Sequence, residues 1–369
     1  MKILYVTTVG LTMTFFGSII RELLDKGHTV DIACNESDSQ VPDCYRDWGC
    51  GIHRIDCVRT PFAAGNARAV GQIRRLVREN GYGIVHCHTP IAAACTRLAC
   101  KDLRKEGVRV FYTAHGFHFY KGAPLKSWLL YYPIEKLCAH FTDTLITINR
   151  EDYALAKRKM KAGQVVYVPG VGIDVDKFRN TVVDRPAKRK ELGIPEDAFL
   201  LLSVGELNEN KNHQIVIRAL AELNDPSIHY AIAGNGALAE YLTALAEQLG
   251  VADRVHLLGY RRDVAELYKT ADVDVFPSIR EGLGLAAIEG MAAGMPLICS
   301  DNRGTRDYAV NGMNALVCSN VGGYAEAISC LRVDHQLREE LGRAGSQSMA
   351  RFSINEINRE MMRVYTERA

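Results

Sequence analysis

The segment Pro277-Ser-Ile-Arg-Glu-Gly-Leu-Gly-Leu-Ala-Ala-Ile-Glu-Gly-Met-Ala-Ala-Gly-Met-Pro296 sets two carboxylates, Glu281 and Glu289, around a glycine-rich turn. An apolar run ends at Phe276, the turn carries Gly282 and Gly284, and a helix of small residues is expected from Leu285 to Gly294. The first N–H groups of such a helix carry a partial positive charge, and a turn without bulky side chains lets a phosphate reach them. Glu289, about one turn inside, is spaced to accept hydrogen bonds from the vicinal hydroxyls of a ribose, and Glu281 to meet a second sugar beyond the phosphates. The chemistry this composes is recognition of a sugar nucleotide. The plainer reading is a tight turn followed by a solvated glutamate.

In the first half, His115 ends the run Val108–Thr113 with one residue between, the position where a strand hands its side chain to a ligand. His86 and His88 alternate on a strand and are expected on opposite faces, which argues against a metal site made by the pair. Asp174-Val-Asp176 and Asp272-Val-Asp274 match the Asp-x-Asp pattern that chelates a diphosphate-bound metal in other enzymes. The first lies in a connection and the second is expected at the exposed end of a strand, so no metal and no other cofactor is expected.

The elements that must position these residues follow from the hydrophobic pattern. Short apolar runs alternate with helical periods, the mark of βα units and a mostly parallel sheet. Strands are expected at Ile3–Thr8, Val30–Cys34, Ile84–His88, Val108–Thr113, Thr144–Ile148 and Val165–Val168, and then at Phe199–Gly205, Ile228–Ala233, Val255–Leu258, Val273–Phe276, Leu297–Cys299 and Ala315–Val317. This predicts an α/β chain of two Rossmann-like, doubly wound domains facing a central cleft, with ligands beyond the carboxyl ends of the strands. The domains are expected at 1–180 and 181–350, joined by a polar linker at Asn180–Glu191, with a C-terminal helix over 351–369 crossing back to the N-terminal domain.

Composition narrows the class. The chain has 369 residues, 47% hydrophobic and 24% charged, which excludes disorder, fibres and coiled coil. The net charge of +2 conceals an asymmetry, with 25 Lys/Arg against 17 Asp/Glu in residues 1–180 and 20 against 26 in the remainder. Eleven cysteines without a C-x-x-C pair indicate neither a disulfide framework nor a zinc site and fit a reducing cytoplasm. Neither a signal peptide nor a spanning segment is expected, so the protein is read as cytoplasmic or peripheral at the inner face of the cell membrane.

The pattern P-S-x-x-E-G-x-G-x-x-x-x-E-x-M-A-x-G-x-P resembles the signature of retaining glycosyltransferase family 4, of bacterial polysaccharide and glycolipid type, which has the GT-B fold. Further segments match in the expected order: Val204-Gly-Glu-Leu-Asn-Glu-Asn-Lys211, Ala233-Gly-Asn-Gly236, Val255-His-Leu-Leu-Gly-Tyr260 and Asn311-Gly-Met-Asn-Ala-Leu-Val317 in the second half, and Tyr112-Thr-Ala-His-Gly116 and Val168-Pro-Gly-Val-Gly-Ile-Asp174 in the first. The resemblance implies transfer of a hexosyl or N-acetylhexosaminyl unit from a nucleotide-sugar, a UDP-sugar first, to a saccharide or polyprenyl-diphosphate-linked acceptor, with retention at the anomeric carbon. It implies that Glu289 holds the ribose, Glu281 the donor sugar, Gly284 and Leu285 with Gly282 the diphosphate, and Lys211 the charge of the leaving group. His115 would lie beside donor sugar and acceptor, Tyr260 and Arg261 at the base, and Gly10 on a loop approaching the diphosphate. Glu206 stands where the family usually has arginine, which puts a two-cation clamp in doubt.

Two other classes compete. A GT-B epimerase or phosphorylase shares the architecture, and a catalytically weak homologue would bind the sugar nucleotide without transferring it. A dinucleotide oxidoreductase would need G-x-G-x-x-G after a strand, which Gly10-Leu-Thr-Met-Thr does not supply. The basic residues Arg68, Arg74, Arg75, Arg78, Lys101, Arg104 and Lys105, with the aromatic, lysine-bearing stretch Phe117–Tyr132, read as a surface for anionic lipid. No nucleic-acid recognition motif is present.

Overall fold

A computed structural model describes residues 1–367, which form two compact units: Met1–Gly172 together with the chain from Ile354 onward, and Ile173–Ser353. The first unit is a seven-stranded sheet of order β3-β2-β1-β4-β5-β6-β7, with β1 Lys2–Val9, β2 Thr29–Asn35, β3 Ile52–Arg54, β4 Ile84–His88, β5 Arg109–Ala114, β6 Thr144–Thr147 and β7 Gln164–Tyr167. All its pairings are parallel. The second unit has a six-stranded parallel sheet of order β10-β9-β8-β11-β12-β13, from β8 Phe199–Val204, β9 Ile228–Ala233, β10 Val255–Gly259, β11 Val273–Phe276, β12 Leu297–Ser300 and β13 Leu316–Cys318. The helices that bear on function are α1 Gly17–Asp25, α2 Ala64–Asn80, α3 Pro90–Cys100, α4 Leu125–Ala139, α5 Val175–Asn180, α6 Leu285–Ala292 and α7 Ile354–Thr366.

Both faces of the first sheet are covered, which is why its strands read as continuous apolar runs. Leu4, Val6, Val85, Val110 and Leu145 face one core with α2 and α3, while Ile3, Tyr5, Ile32 and Ile84 face the other with α1 and α7. Each such side chain contributes roughly 1.5–3 kcal/mol by leaving water. The sequence pattern does not announce β3, because it is three residues long, lies at the sheet edge and is only partly buried.

The division between the units falls at Gly172 and Ile173, earlier than Asn180, because α5 buries Val175 and Phe178 in the second unit, where Phe178 meets Tyr268 edge-on at 6.1 Å. The expected linker is also structured. Asp184 caps a helix over Arg185–Glu191 by accepting from the Ala187 N–H at 3.1 Å, and Arg185 and Arg189 reach Asp272 at 2.7 and 2.8 Å. Capping and ion pairs make a helix there without an apolar period. Nine of the eleven cysteines are buried, in keeping with small hydrophobes.

Helix α7 is part of the first unit. Ile357, Met361, Met362, Val364 and Tyr365 join its core, and Asn358 Nδ2 donates to Ser18 Oγ at 2.8 Å. The Tyr365 hydroxyl lies 2.5 Å from both Tyr5 Oη and His86 Nδ1, so one buried group joins the first strand, the fourth strand and the last helix. Tyr365→Phe strands two buried polar atoms and is expected to cost about 1–3 kcal/mol in urea denaturation of the whole chain. Tyr365→Leu, which also opens a cavity, is expected to cost more.

Candidate functional site

The glycine turn of the second unit adopts an unusual backbone. Gly284, the residue before α6, has φ of 93°, and a Cβ there would lie 2.8 Å from Phe276 Cε1, so only glycine fits. No side chain caps α6, which leaves its first N–H groups, beginning at Leu285, directed out of the helix start. Ala287, Ile288 and Met291 bury the opposite side of the helix.

Lys211 and Glu281, 70 positions apart, meet at this turn with Nζ and Oε1 2.7 Å apart. Lys211 also stands 5.0 Å over the ring of Phe276, and its backbone N–H donates to Asn208 Oδ1 at 3.0 Å. Arg303 Nε donates to the Glu281 carbonyl at 3.1 Å, while the Ile279 N–H donates to the Asn210 carbonyl and Asn210 Nδ2 to the Arg280 carbonyl. The two loops are thereby pinned to each other. A partly exposed ion pair is worth about 1 kcal/mol at most, so the pair orients two side chains more than it stabilises the fold. The pair with Glu281 takes one of the three ammonium protons of Lys211.

Glu289 sits where α5 and α6 pack, and burial pushes its carboxyl up to about 7, with Lys177 of α5 opposing the rise. Asp274 of β11 lies beneath it, 1% exposed, with Oδ2 unpaired. Burial and then the Glu289 carboxyl hold Asp274 well above the carboxylate range. A Cβ on Gly290 would come within 2.1 Å of Asp274 Oδ2, so the glycine in Glu-Gly-Met is a space for this carboxyl. This corrects the expectation of an exposed Asp-x-Asp end: Asp274 is interior, and Asp272 is taken by Arg185, Arg189 and the Leu200 N–H.

The remaining second-unit candidates are less engaged with the turn. Glu206 is exposed and accepts from Asn208 Nδ2 at 3.0 Å, within its own loop. Tyr260 is 71% exposed. Arg261 is drawn into ion pairs with Asp263 at 2.5 Å and Glu191 at 2.7 Å, which neighbour Lys188. Gly282 is partly buried in the turn. In the first unit Gly10 is buried at the end of β1, and a Cβ there would fall within 2.5 Å of the backbone of residues 39–41, so internal packing accounts for this glycine.

His115 lies just past β5 at an exposed position in the chain, with its ring set against those of His88 and Phe16, and desolvation by the protein around it lowers its pKa to about 4. The Phe117 N–H donates to Asp152 Oδ2 at 3.0 Å, and Phe117 stacks on Phe119 at 4.8 Å, which together fix the loop that carries it. His86 and His88 share one face, their rings 4.2 Å apart, because residues two apart on a strand point the same way. The expectation of opposite faces is thereby corrected. His88 Nδ1 lies 3.1 Å from His115 Nε2, a contact between neighbouring strands that spacing along one strand does not reveal. Thr89, next along, has φ of 63°, strained for a β-branched residue, and its hydroxyl meets Thr8 Oγ1 at 2.7 Å. Beside it a cavity of about 290 Å³ is lined by Thr8, Arg59, Thr89, Pro90, His118 and Tyr131.

The raised carboxyl of Glu289 has a sign that can be checked. Between the ordinary glutamate value and about 7 the folded chain keeps a proton that the unfolded chain has lost, so this group makes stability fall as pH rises through that window. Glu289→Gln is expected to flatten the decline by about 2 kcal/mol, read as a narrowed gap between thermal midpoints at pH 5 and pH 8.

Residues 184–348 match the family described as Glycosyl transferases group 1, and residues 13–170 the Glycosyl transferase 4-like domain. The chain is 40% identical over 314 residues to EpsD of Bacillus subtilis (strain 168), a protein named as a glycosyltransferase, covering 84% of this chain and 82% of EpsD. It is 29% identical over 286 residues to the UDP-Gal:alpha-D-GlcNAc-diphosphoundecaprenol alpha-1,3-galactosyltransferase of Escherichia coli, covering 73% and 71% of the two chains. HepE of Anabaena in complex with UDP and glucose has the same fold, with a TM-score of 0.83 at 18% identity over 100% of each chain. Sucrose-phosphate synthase from Thermosynechococcus elongatus gives 0.79 at 20% identity, covering 99% and 98%. With two parallel Rossmann-like sheets and the glycine turn between Glu281 and Glu289, the chain belongs to glycosyltransferase family 4 and has the GT-B fold.

Proposed function

We propose that the protein transfers a hexosyl or N-acetylhexosaminyl unit from a UDP-sugar, with retention, to a saccharide or polyprenyl-diphosphate-linked saccharide in surface-polysaccharide or glycoconjugate assembly. The observation that carries this reading is the uncapped start of α6 at Gly284 and Leu285 with the Lys211–Glu281 pair beside it. The diphosphate meets the helix N–H groups and Lys211, Glu289 accepts from the ribose hydroxyls and Glu281 from the donor sugar. As the bond to the leaving oxygen lengthens, negative charge grows on the diphosphate, and Lys211 with the helix start stabilises it where it develops. The acceptor hydroxyl enters on the same face, beside His115. The donor class takes support from the UDP and glucose held by HepE, and the acceptor class from the diphosphoundecaprenol substrate in the name of the Escherichia coli relative.

Lys211, the helix start and local N–H donors carry the phosphate charge in this reading, Glu206 adds no cation, and no metal takes part. Lys211→Ala is expected to lower kcat by roughly 100-fold or more in a UDP-release assay, while excess chelator leaves the wild-type rate unchanged. Loss of turnover in chelator overturns the metal-free reading, and an active Lys211→Ala overturns the role of the lysine.

We also assign the lipid-facing surface, at the cytoplasmic side of the membrane, to α4. Among the described residues no helix is long and apolar enough to cross a membrane. The basic helices are largely neutralised, with Arg68 on Asp56, Arg74 on Asp102, Arg78 on Glu106 and Arg104 on Asp143. Helix α4 instead shows Leu125 at 73% exposure, Leu129 at 70%, and Leu130, Ile134 and Leu137, flanked by exposed Lys121, Lys126 and Lys136. Its inner face is held by the buried pair Arg97–Glu135 at 2.8 Å, with the Tyr112 hydroxyl donating to Glu135 at 3.1 Å. Leucines at the interface with lysines around them are the composition of a helix lying on an anionic bilayer. The double change Leu125→Glu and Leu129→Glu is expected to abolish co-sedimentation with anionic vesicles and leave UDP binding intact; retained sedimentation overturns the assignment.

A further inference from the structure

The contact between His88 and His115 decides which face of the His115 imidazole is free to work. His88 ends β4 and is 1% exposed, opposite Thr113 in the ladder with β5. Its Nδ1 lies 3.1 Å from His115 Nε2, and one proton sits between them. If His115 supplies that proton, a neutral His88 must carry its own on Nε2. If His88 supplies it, Nε2 of His88 is a bare lone pair.

The surroundings distinguish the two. His88 Nε2 is buried and has no hydrogen-bond partner. The rings of Phe16, His86 and Tyr5 pack around His88 at centroid distances of 4.2, 4.2 and 5.4 Å, and none offers it an acceptor. His86 is spoken for on both sides, Nδ1 by the Tyr365 hydroxyl at 2.5 Å and Nε2 by Thr113 Oγ1 at 2.8 Å. A buried N–H without an acceptor is the rarer and costlier orphan, so the proton belongs on His88 Nδ1. Nor is an imidazolium sustained: the small cavity shared by the three histidines is lined by no acidic residue, and burial lowers all three toward the neutral form.

We propose that His88 is a positioning residue that fixes His115 as the Nδ1–H tautomer, so that His115 acts in transfer as a neutral hydrogen-bond donor to a substrate oxygen and not as a base. The lone pair of His115 Nε2 is occupied by His88, so the proton of the neutral His115 ring stands on Nδ1, the nitrogen turned away from that contact. A sugar hydroxyl or phosphate oxygen is the chemical class such a donor takes. No proton is removed from the acceptor by this residue; in the retaining reaction proposed above, that proton leaves with the departing phosphate oxygen. The inference rests on that reading in placing His115 at the substrate.

Three arms test it on the full chain. Long-range ¹H–¹⁵N spectra of histidine-labelled protein are expected to show His115 as a single Nδ1–H tautomer in the wild type and as a mixture in His88→Leu. Kinetically, His88→Leu is expected to lower kcat roughly 10–100-fold with KM for the donor little changed. His88→Asn, whose amide N–H lies where Nδ1 did, is expected to recover much of that loss and keeps the test valid should the leucine variant fold poorly. An Nε2–H tautomer at His115 in the wild type, or a folded His88→Leu with unaltered tautomer and kcat, overturns the proposal. If the tautomer is as stated and His115→Ala still turns over at the wild-type rate, the placement of His115 at the substrate fails, and the donor role falls with it.

Discussion

A parallel sheet covered on both faces confines chemistry to the edge where its strands end, and this constraint organises both units. Helices fill the two faces of each sheet, so a polar side chain inside must find a partner, give up its charge or accept being orphaned. Arg97 and Glu135 take the first course, clasped under the ring and hydroxyl of Tyr112. Asp274 is pushed toward the second by burial and by the Glu289 carboxyl. His88 pairs through one nitrogen and leaves the other bare. At the strand ends the accounting differs, because water or a ligand satisfies what the fold does not. His115, Lys211, Glu281 and the helix start at Leu285 all lie just after strands or at the loops that follow them.

The same distinction explains how much was legible beforehand. Buried strands announce themselves as apolar runs, so the pattern places twelve of the thirteen strands among the described residues, and the short edge strand Ile52–Arg54 gives no signal. Gly284 and the spacing of Glu281 and Glu289 were readable because a glycine turn and a helix start are local features. What stayed hidden is pairing across the sheet. Lys211 and Glu281 are 70 residues apart, and His88 ends one strand while His115 lies just past the end of its neighbour. Periodicity says which face a residue takes and not which residue it meets there. The helix at Arg185–Glu191 was missed for a related reason, since its support comes from Asp184 next door and Asp272 far along the chain.

Charge counting had the same limit. The basic excess of the first 180 residues is a true property of the sequence, yet several of its arginines spend their charge on carboxylates of neighbouring elements. An unpaired surface shows itself in the leucines of α4, where an apolar outer face is held in place by a buried ion pair on the inner one. Net charge is a sum over the chain, whereas a surface is defined by what remains after local pairs are subtracted.

The hydroxyl of Tyr365, set against Tyr5 and His86, ties the first strand to the last helix across 360 residues. Everything the second unit needs lies in the unbroken stretch Ile173–Ser353, while the first unit lacks a wall of its core until α7 has been made. During synthesis the order of completion is therefore the reverse of the order of appearance: the unit begun first finishes last, and the unit inserted into it closes while its host still waits. A message cut short near its end would release a finished second unit attached to an open first one, and the exposed wall of Ile3, Tyr5 and Ile84 is what a cellular quality-control factor would meet.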